Sequence, residues 1–309
     1  MLTRVLMATD GSEDAALAAR AATEISKGTG SELHVVHVLP LFPRYTYPGI
    51  TPQVYSYMLD KTYQEARELL DEQVKSIEDS GGRVAEDHIK RGQAVVDEIL
   101  DLAEELGASL IALGSRGLGP LKRLVLGSVA EGVVHHASCY VLVARGGSDA
   151  WPPQRVVIGD DGSEMAKGAG EMAASIGRLS QAQGLLVRVF PQLPEIDVER
   201  REMNARMADD ELRWEERKLE GRAREVEEVL GIRPRIRLSV GDPATVLLEI
   251  AEEDDAERTL LALGSRGLGM MRRVRLGSVS TKVLRAARGP VLISPVPKAS
   301  RTGAQGFER

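Results

Sequence analysis

Three scarcities in this chain of 309 residues each remove a class of protein. It has one cysteine, Cys139, so no intrachain disulfide can form, which suits a reducing compartment. It has no apolar run long enough to span a bilayer, and the N-terminal stretch Met1 to Ala8 meets Asp10 too soon to serve as a signal peptide. It has no excess of positive charge: 40 Lys and Arg stand against 46 Asp and Glu, a net charge of −6. Duplex affinity comes mostly from cations on phosphates, so a general nucleic-acid binder is disfavoured. A cytoplasmic protein without a membrane partner is the expectation. Two nucleotide-binding signatures are also missing. After Gly119 the chain reads Pro120-Leu121-Lys122-Arg123, not the Gly-Lys-Ser/Thr ending of a Walker loop. Lys122 also falls where a dinucleotide fingerprint needs its third glycine.

What the chain does have, it has twice. Ala112-Leu113-Gly114-Ser115-Arg116-Gly117-Leu118-Gly119 returns letter for letter at Ala262 to Gly269, including Leu263, Gly264, Arg266 and Gly267. Each copy follows an apolar run and leads to a second Gly-Ser, at Gly127-Ser128-Val129 and Gly277-Ser278-Val279, so each half reads G-x-x-G-x9-G-S. Val5 to Ser12, with Asp10-Gly11-Ser12, matches Val156 to Ser163, with Asp161-Gly162-Ser163. Leu33 to Val38 aligns with Leu185 to Phe190, and Gly92 with Gly241. The spacing stays near half the chain, so this is a tandem duplication with domains expected at 1–147 and 151–297. The breaker-rich join Gly146 to Pro153 reads as a linker, and the tail 298–309 as disordered.

Within each half, strands alternate with helices. In the first, strands are expected at Arg4–Ala8, Leu33–Leu39, Arg83–Lys90, Ser109–Leu113 and Tyr140–Ala144, with Ser12 capping the first helix. Such alternation implies two tandem, doubly wound parallel-sheet domains of Rossmann-like α/β class. Ligands of such sheets sit beyond the carboxyl ends of the strands, where strand order reverses. Asp10, Val38 and Gly114 converge there, as do Asp161, Val189 and Gly264. Glycines where the chain must approach a ligand, and a Gly-Ser opening a helix, suit phosphate. Nearby cations are Lys122, Arg123, Arg272, Arg273 and Arg275. The Glu- and Arg-rich run 195–230 reads as a solvated helix face with i,i+4 ion pairs.

The D-G-S after strand one, the glycine after strand three and the G-x-x-G-x9-G-S after strand four together resemble the tandem type of the universal stress protein family, in its ATP-binding branch. The resemblance covers both halves. It implies ATP at one site per half, with Mg2+ as an optional companion. Ala8-Thr9 and Gly159-Asp160 would lie against adenine, and Asp10 and Asp161 near ribose or the metal–phosphate region. Val38 and Val189 would meet the adenine edge. Gly114, Arg116 and Gly117, with Gly264, Arg266 and Gly267, would wrap ribose and phosphates. Gly127-Ser128-Val129 and Gly277 to Ser280 would hold the phosphate tail. Asp160, beside Asp161 where the first half has Thr9, adds negative charge that a divalent cation would need to bridge. Single-domain relatives form dimers, so the fifth strands Tyr140–Ala144 and Val291–Ser294 are expected to pair inside this chain, with a homodimer beyond it. A slow ATPase or phosphotransferase using Asp10, Asp160 and Asp161, and an interaction protein with empty sites, remain competing readings. His135-His136 and the separated His34 and His37 do not form a metal site on this reading. Cys139 reads as a buried small hydrophobe. Tyr45, Tyr47, Tyr55 and Tyr57 are expected over the site mouth.

Overall fold

The computed structural model describes residues 2–41, 49–117, 126–190, 201–267 and 276–296, with side chains from 212 onward in the long helix of the second half. Leu118 and Gly119 of the first glycine loop, the basic residues 122, 123, 272, 273 and 275, Tyr45, Tyr47 and the tail lie outside the described residues.

The first half runs β1 (Arg4–Ala8), α1 (Glu13–Thr29), β2 (Glu32–Pro40), α2 (Pro52–Asp79), β3 (Val84–Gly92), α3 (Val95–Leu106), β4 (Leu110–Gly114), α4 (Ser128–His136) and β5 (Tyr140–Ala144). The second runs β6 (Arg155–Gly159), α5 (Glu164–Leu179), β7 (Gln183–Phe190), α6 (Arg201–Leu230), β8 (Arg235–Val240), α7 (Pro243–Glu252), β9 (Thr259–Gly264), α8 (Ser278–Ala286) and β10 (Val291–Ser294). Local chemistry sets these bounds. Ser12 and Ser163 accept from the backbone N–H of Ala15 and Ala166 and so start α1 and α5. Gly30 and Gly107 end α1 and α3 in the left-handed region, at φ 71° and 61°.

All ten strands form one sheet, in the order β3-β2-β1-β4-β5-β10-β9-β6-β7-β8. Pairing is parallel within each half, while β5 and β10 meet antiparallel, Val143 opposite Val291 and Leu142 opposite Leu292. The expected pairing of fifth strands is therefore found. The backbone corrects the repeat alignment by one residue at the second strand. Thr9 N donates to Val36 O and Asp160 N to Val187 O, so Val38 corresponds to Val189, not to Phe190.

Helices cover both faces. One core layer gathers Ala18, Leu70, Ala169 and Leu219 from α1, α2, α5 and α6; the other gathers Ile99, Val133, Leu247 and Val283 from α3, α4, α7 and α8. Both layers run across the join between halves. In α6, Leu219, Ala223, Val226 and Leu230 are buried at helical spacing, so the charged run is not simply a solvated face. Among its described side chains the intrahelical ion pairs are Lys218–Glu215 and Arg222–Glu225, at i,i+3.

The join is also not a loose tether. Ala150 and Trp151 are buried in the first core layer, Gly147 N donates to Glu257 Oε2, and Arg20 reaches the Ser148 carbonyl. Trp151→Ala is expected to cost about 3–5 kcal/mol, as removal of a buried indole does. The check is a urea unfolding curve; an unchanged midpoint would mean that the join carries no core packing.

Candidate functional site

Strand order reverses between β1 and β4 in the first half and between β6 and β9 in the second. A cavity opens at each point, of 520 Å³ and 330 Å³. Ligand pockets span about 300–1,000 Å³. The first cavity is lined by Ala8, Thr9, Asp10, Val38, Leu113, Gly114, Arg116, Gly117, Gly127, Ser128 and Val129. The second is lined by Gly159, Asp160, Asp161, Val189, Leu263, Gly264, Arg266, Gly267, Gly277, Ser278, Val279 and Ser280. Each set singled out in the sequence thus surrounds one cavity.

The Asp-Gly-Ser turns build the floor. Asp10 Oδ1 accepts from Ser12 N at 3.1 Å, and Asp161 Oδ1 from Ser163 N at 3.0 Å. Gly11 and Gly162 take φ of 79° and 85°, which a side chain would resist. Ser12 Oγ also donates to the Arg116 carbonyl, tying this turn to the glycine loop.

The loop glycines have a reason internal to the protein. A Cβ on Gly114 would lie 2.7 Å from the Asp14 carbonyl carbon and 2.8 Å from Ala15 N; one on Gly264 would lie 2.9 Å from Ala166 N. A Cβ on Gly117 would strike Asp10 Oδ2, and one on Gly267 Asp161 Oδ2. These four glycines let the loop close onto the Asp-Gly-Ser turn and the first turn of α1 in one half and of α5 in the other. The close approach is made by the protein itself, whatever else enters the cavity.

The helix starts differ from that. Gly127 and Gly277 cap α4 and α8, so the cap residue itself offers no side-chain acceptor to the first turn. The first turns line the cavities, and Ser128 and Ser278 are exposed. A glycine-capped helix start beside an exposed hydroxyl is a set of donors suited to an anion. Ser280 belongs elsewhere: its buried hydroxyl donates to the Gly264 carbonyl at 2.7 Å and serves the loop.

Sequence motifs pointed to only part of the apolar wall, Val38 and Leu113 in one cavity and Val189 and Leu263 in the other. Val36, Val95, Ile99 and Leu126 complete the first cavity, and Val187, Pro243 and Leu247 the second. Val95 and Ile99 lie four apart on α3, so helical periodicity could have found that face, though not its neighbour. Glu131 also lines the first cavity and pairs at 2.6 Å with Arg285 of α8, across the join. Tyr55 and Tyr57, expected over the mouth, line neither cavity, and Tyr57 is 69% exposed. Cys139 is half-buried rather than buried.

Charge distinguishes the two sites. Arg116 is held by Asp14, Nε to Oδ2 at 3.0 Å and Nη2 to Oδ1 at 3.2 Å, and Ser115 Oγ donates to the same carboxylate. In the second half Met165 stands where Asp14 would be. Arg266 Nε and Ser265 Oγ are buried with no hydrogen-bond partner among the described residues. Asp160 also departs from expectation. Its side chain is fully buried and held by Arg188 at 2.6 Å and Arg222 at 3.1 Å, so its charge is answered by protein rather than by a divalent cation. Burial opposes the Arg222 charge, but the Asp160 and Glu225 carboxylates outweigh it and raise the guanidinium above its ordinary value. Arg188 also pairs with Glu215. In the first half neutral Thr9 bonds Gln73, and the His37 ring bonds the Thr9 carbonyl.

Asp160→Ala should therefore destabilise the chain by about 3 kcal/mol, because it removes the buried carboxylate shared by two arginines and leaves each with one acidic partner, Glu215 or Glu225. Asp161→Ala, at an exposed turn position whose carboxylate accepts from Ser163 N, should cost less, about 1 kcal/mol. Equal costs for the two in urea unfolding would contradict the buried-network assignment.

The universal stress protein family model matches residues 1–145 and again 153–295. A universal stress protein of Bacillus subtilis is 33% identical over 152 residues, 47% of this chain and 100% of that protein. One of Mycobacterium tuberculosis is 31% identical over 203 residues, 64% of this chain and 65% of that protein, just under two thirds of its length. The crystal structure of a universal stress protein from Archaeoglobus fulgidus superposes with a TM-score of 0.64 at 25% identity, covering 94% of this chain and 98% of that one. With the family model matched twice around two equivalent cavities, this chain belongs to the universal stress protein family, in tandem form.

Proposed function

We propose that the chain is an adenine-nucleotide-binding regulatory protein of the stress response, with one ATP site in each of two domains, residues 1–147 and 151–297. The observation that carries this reading is the pair of cavities, each with aliphatic side chains on one side and, on the other, a helix start whose N-cap is glycine. A purine fits the wall of Val36, Val38, Val95, Ile99 and Leu113, and its counterpart of Val187, Val189, Leu247 and Leu263. A phosphate tail fits the first turns of α4 and α8, with Ser128 and Ser278 as hydroxyl donors. Asp10 and Asp161 line the cavities and would face an accompanying Mg2+, which would shield the triphosphate charge. A micromolar ligand needs about 8 kcal/mol net, within reach of an apolar slot plus several main-chain donors.

The nucleotide is held as a signal rather than consumed. Each aspartate commits one oxygen to the backbone of its own turn, which suits positioning better than proton transfer. Occupancy of the first cavity touches Glu131, whose pair with Arg285 carries the effect to the second half.

The two sites are unequal. Among the described residues Arg266 has no partner, and it would meet the phosphates, whereas Arg116 is held by Asp14. Calorimetric titration of the full chain with ATP should give two sites. Arg266→Ala should weaken one of them roughly 10- to 100-fold, the value of a charge-assisted hydrogen bond. Arg116→Ala should leave both affinities within about threefold while lowering stability, since it strands the Asp14 carboxylate. Absence of binding by ATP, ADP and AMP, or equal losses in the two variants, would contradict this assignment.

A further inference from the structure

Away from the cavity end of the first half's sheet, His34 of β2 and His88 of β3 sit diagonally across neighbouring strands. Their rings stack with centroids 5.6 Å apart and planes 22° from parallel. His34 Nδ1 lies 3.3 Å from His88 Nε2, and Glu86 Oε2 lies 3.9 Å from that same His88 nitrogen. One ligand atom from each of His34, Glu86 and His88 falls within 4.8 Å of the others. We propose that these three residues form a binding site for a divalent transition-metal ion of the Zn2+ class, a site separate from the nucleotide cavities.

Geometry supports the choice of ion. Two imidazole nitrogens, each about 2.0–2.1 Å from a tetrahedral centre, stand about 3.3–3.4 Å apart. That is the spacing found here. Two imidazoles and one carboxylate are a donor set for Zn2+ and its neighbours rather than for Mg2+ or Ca2+, which take oxygen. As a protein-only hydrogen bond the pair is poorly resolved. His34 is 6% exposed, and its Nε2 is buried with no hydrogen-bond partner. Glu32 Oε2 stands 3.9 Å from that nitrogen, with Arg4 Nε holding the carboxylate at 2.7 Å. A metal on Nδ1 fixes the proton on Nε2, where a small shift brings it to Glu32, the arrangement that usually orients a ligating histidine.

The duplication supplies an internal control. The register sets His34 opposite Glu86 and Val36 opposite His88; in the second half it sets Leu185 opposite Arg235 and Val187 opposite Arg237. The same strand pair therefore forms with a leucine and two arginines at the three positions. The fold does not require two histidines and an acid here. The site also lies apart from the nucleotide cavity, since His34 precedes Val38 by four residues, roughly 13 Å of strand. A metal here would clip the sheet's edge strand β3 to β2.

The test uses the full, tag-free chain after dialysis against a chelator. It is titrated with Zn2+ by calorimetry and with Co2+ by visible absorption. One equivalent per chain is expected, with the intense Co2+ bands of a four-coordinate site. His88→Arg and His34→Leu, which copy the second half, should each weaken the ion at least roughly 100-fold, and Glu86→Arg roughly 10-fold, the range for losing a ligand or its support. ATP affinity should be unchanged in all three. Should buried His34→Leu fail to fold by circular dichroism, His88→Arg and Glu86→Arg, on the less buried strand, decide alone. No bound equivalent in the native chain, or an equivalent kept in the folded variants, would overturn the proposal. Either result is independent of the nucleotide reading.

Discussion

The contact on which the rest depends is main chain against main chain. The first turn of α1 lies on the Cα of Gly114, and the first turn of α5 on that of Gly264, at distances that leave no room for a methyl group. The contact brings the exits of β1 and β4 together and fixes where the Asp-Gly-Ser turn meets the glycine loop. The same closure brings Asp10 against Gly117 and Asp161 against Gly267. With the floor drawn so tight, the space left lies between α4 and the aliphatic wall in one half, and between α8 and its wall in the other. The proposed nucleotide, with one flat apolar end and one anionic end, is assigned to that space. The loop glycines thus shape the site by making the protein close, and the helix starts at Gly127 and Gly277 supply the donors.

Duplication copied this frame but not its charges. The first half neutralises its loop arginine internally through Asp14, and leaves a neutral Thr9 beneath the cavity. The second half places an acid beneath the cavity, encloses it between Arg188 and Arg222, and leaves Arg266 without a partner among the described residues. Both solutions keep buried charge compensated, as a low-dielectric interior demands. They differ in which cation remains available to a guest. The β5–β10 pairing and the Glu131–Arg285 bridge join the two frames, so the halves share a sheet, two core layers and one ion pair at the cavity rim.

The fold was largely legible because its signals are local and repeated. Continuous apolar runs marked the buried strands, Ser12 marked a helix start, and the D-G-S and glycine motifs marked the exits of β1 and β4. The pairing of the fifth strands followed from the resemblance to dimeric relatives. What escaped the sequence was tertiary. Asp160 reads as an extra acid beside Asp161 that calls for a divalent cation until Arg188 and Arg222 are brought over it from β7 and α6. Arg116 reads as a phosphate ligand until Asp14 proves to be within reach. Val95, Ile99 and Leu247 look like ordinary core residues on α3 and α7, because only packing decides that they face a cavity. His34 and His37 were correctly separated within one strand, but the neighbour of His34 is His88, on a strand paired only by the fold.

The central claim is that both cavities hold an adenine nucleotide. Its most direct test is to purify the chain without added nucleotide, denature it, and quantify adenine nucleotides in the supernatant by chromatography, before and after incubation with millimolar ATP. The account predicts nucleotide rising to two equivalents per chain, recovered as intact ATP. A chain that carries none at either stage would contradict it, leaving the duplicated architecture without the proposed ligand.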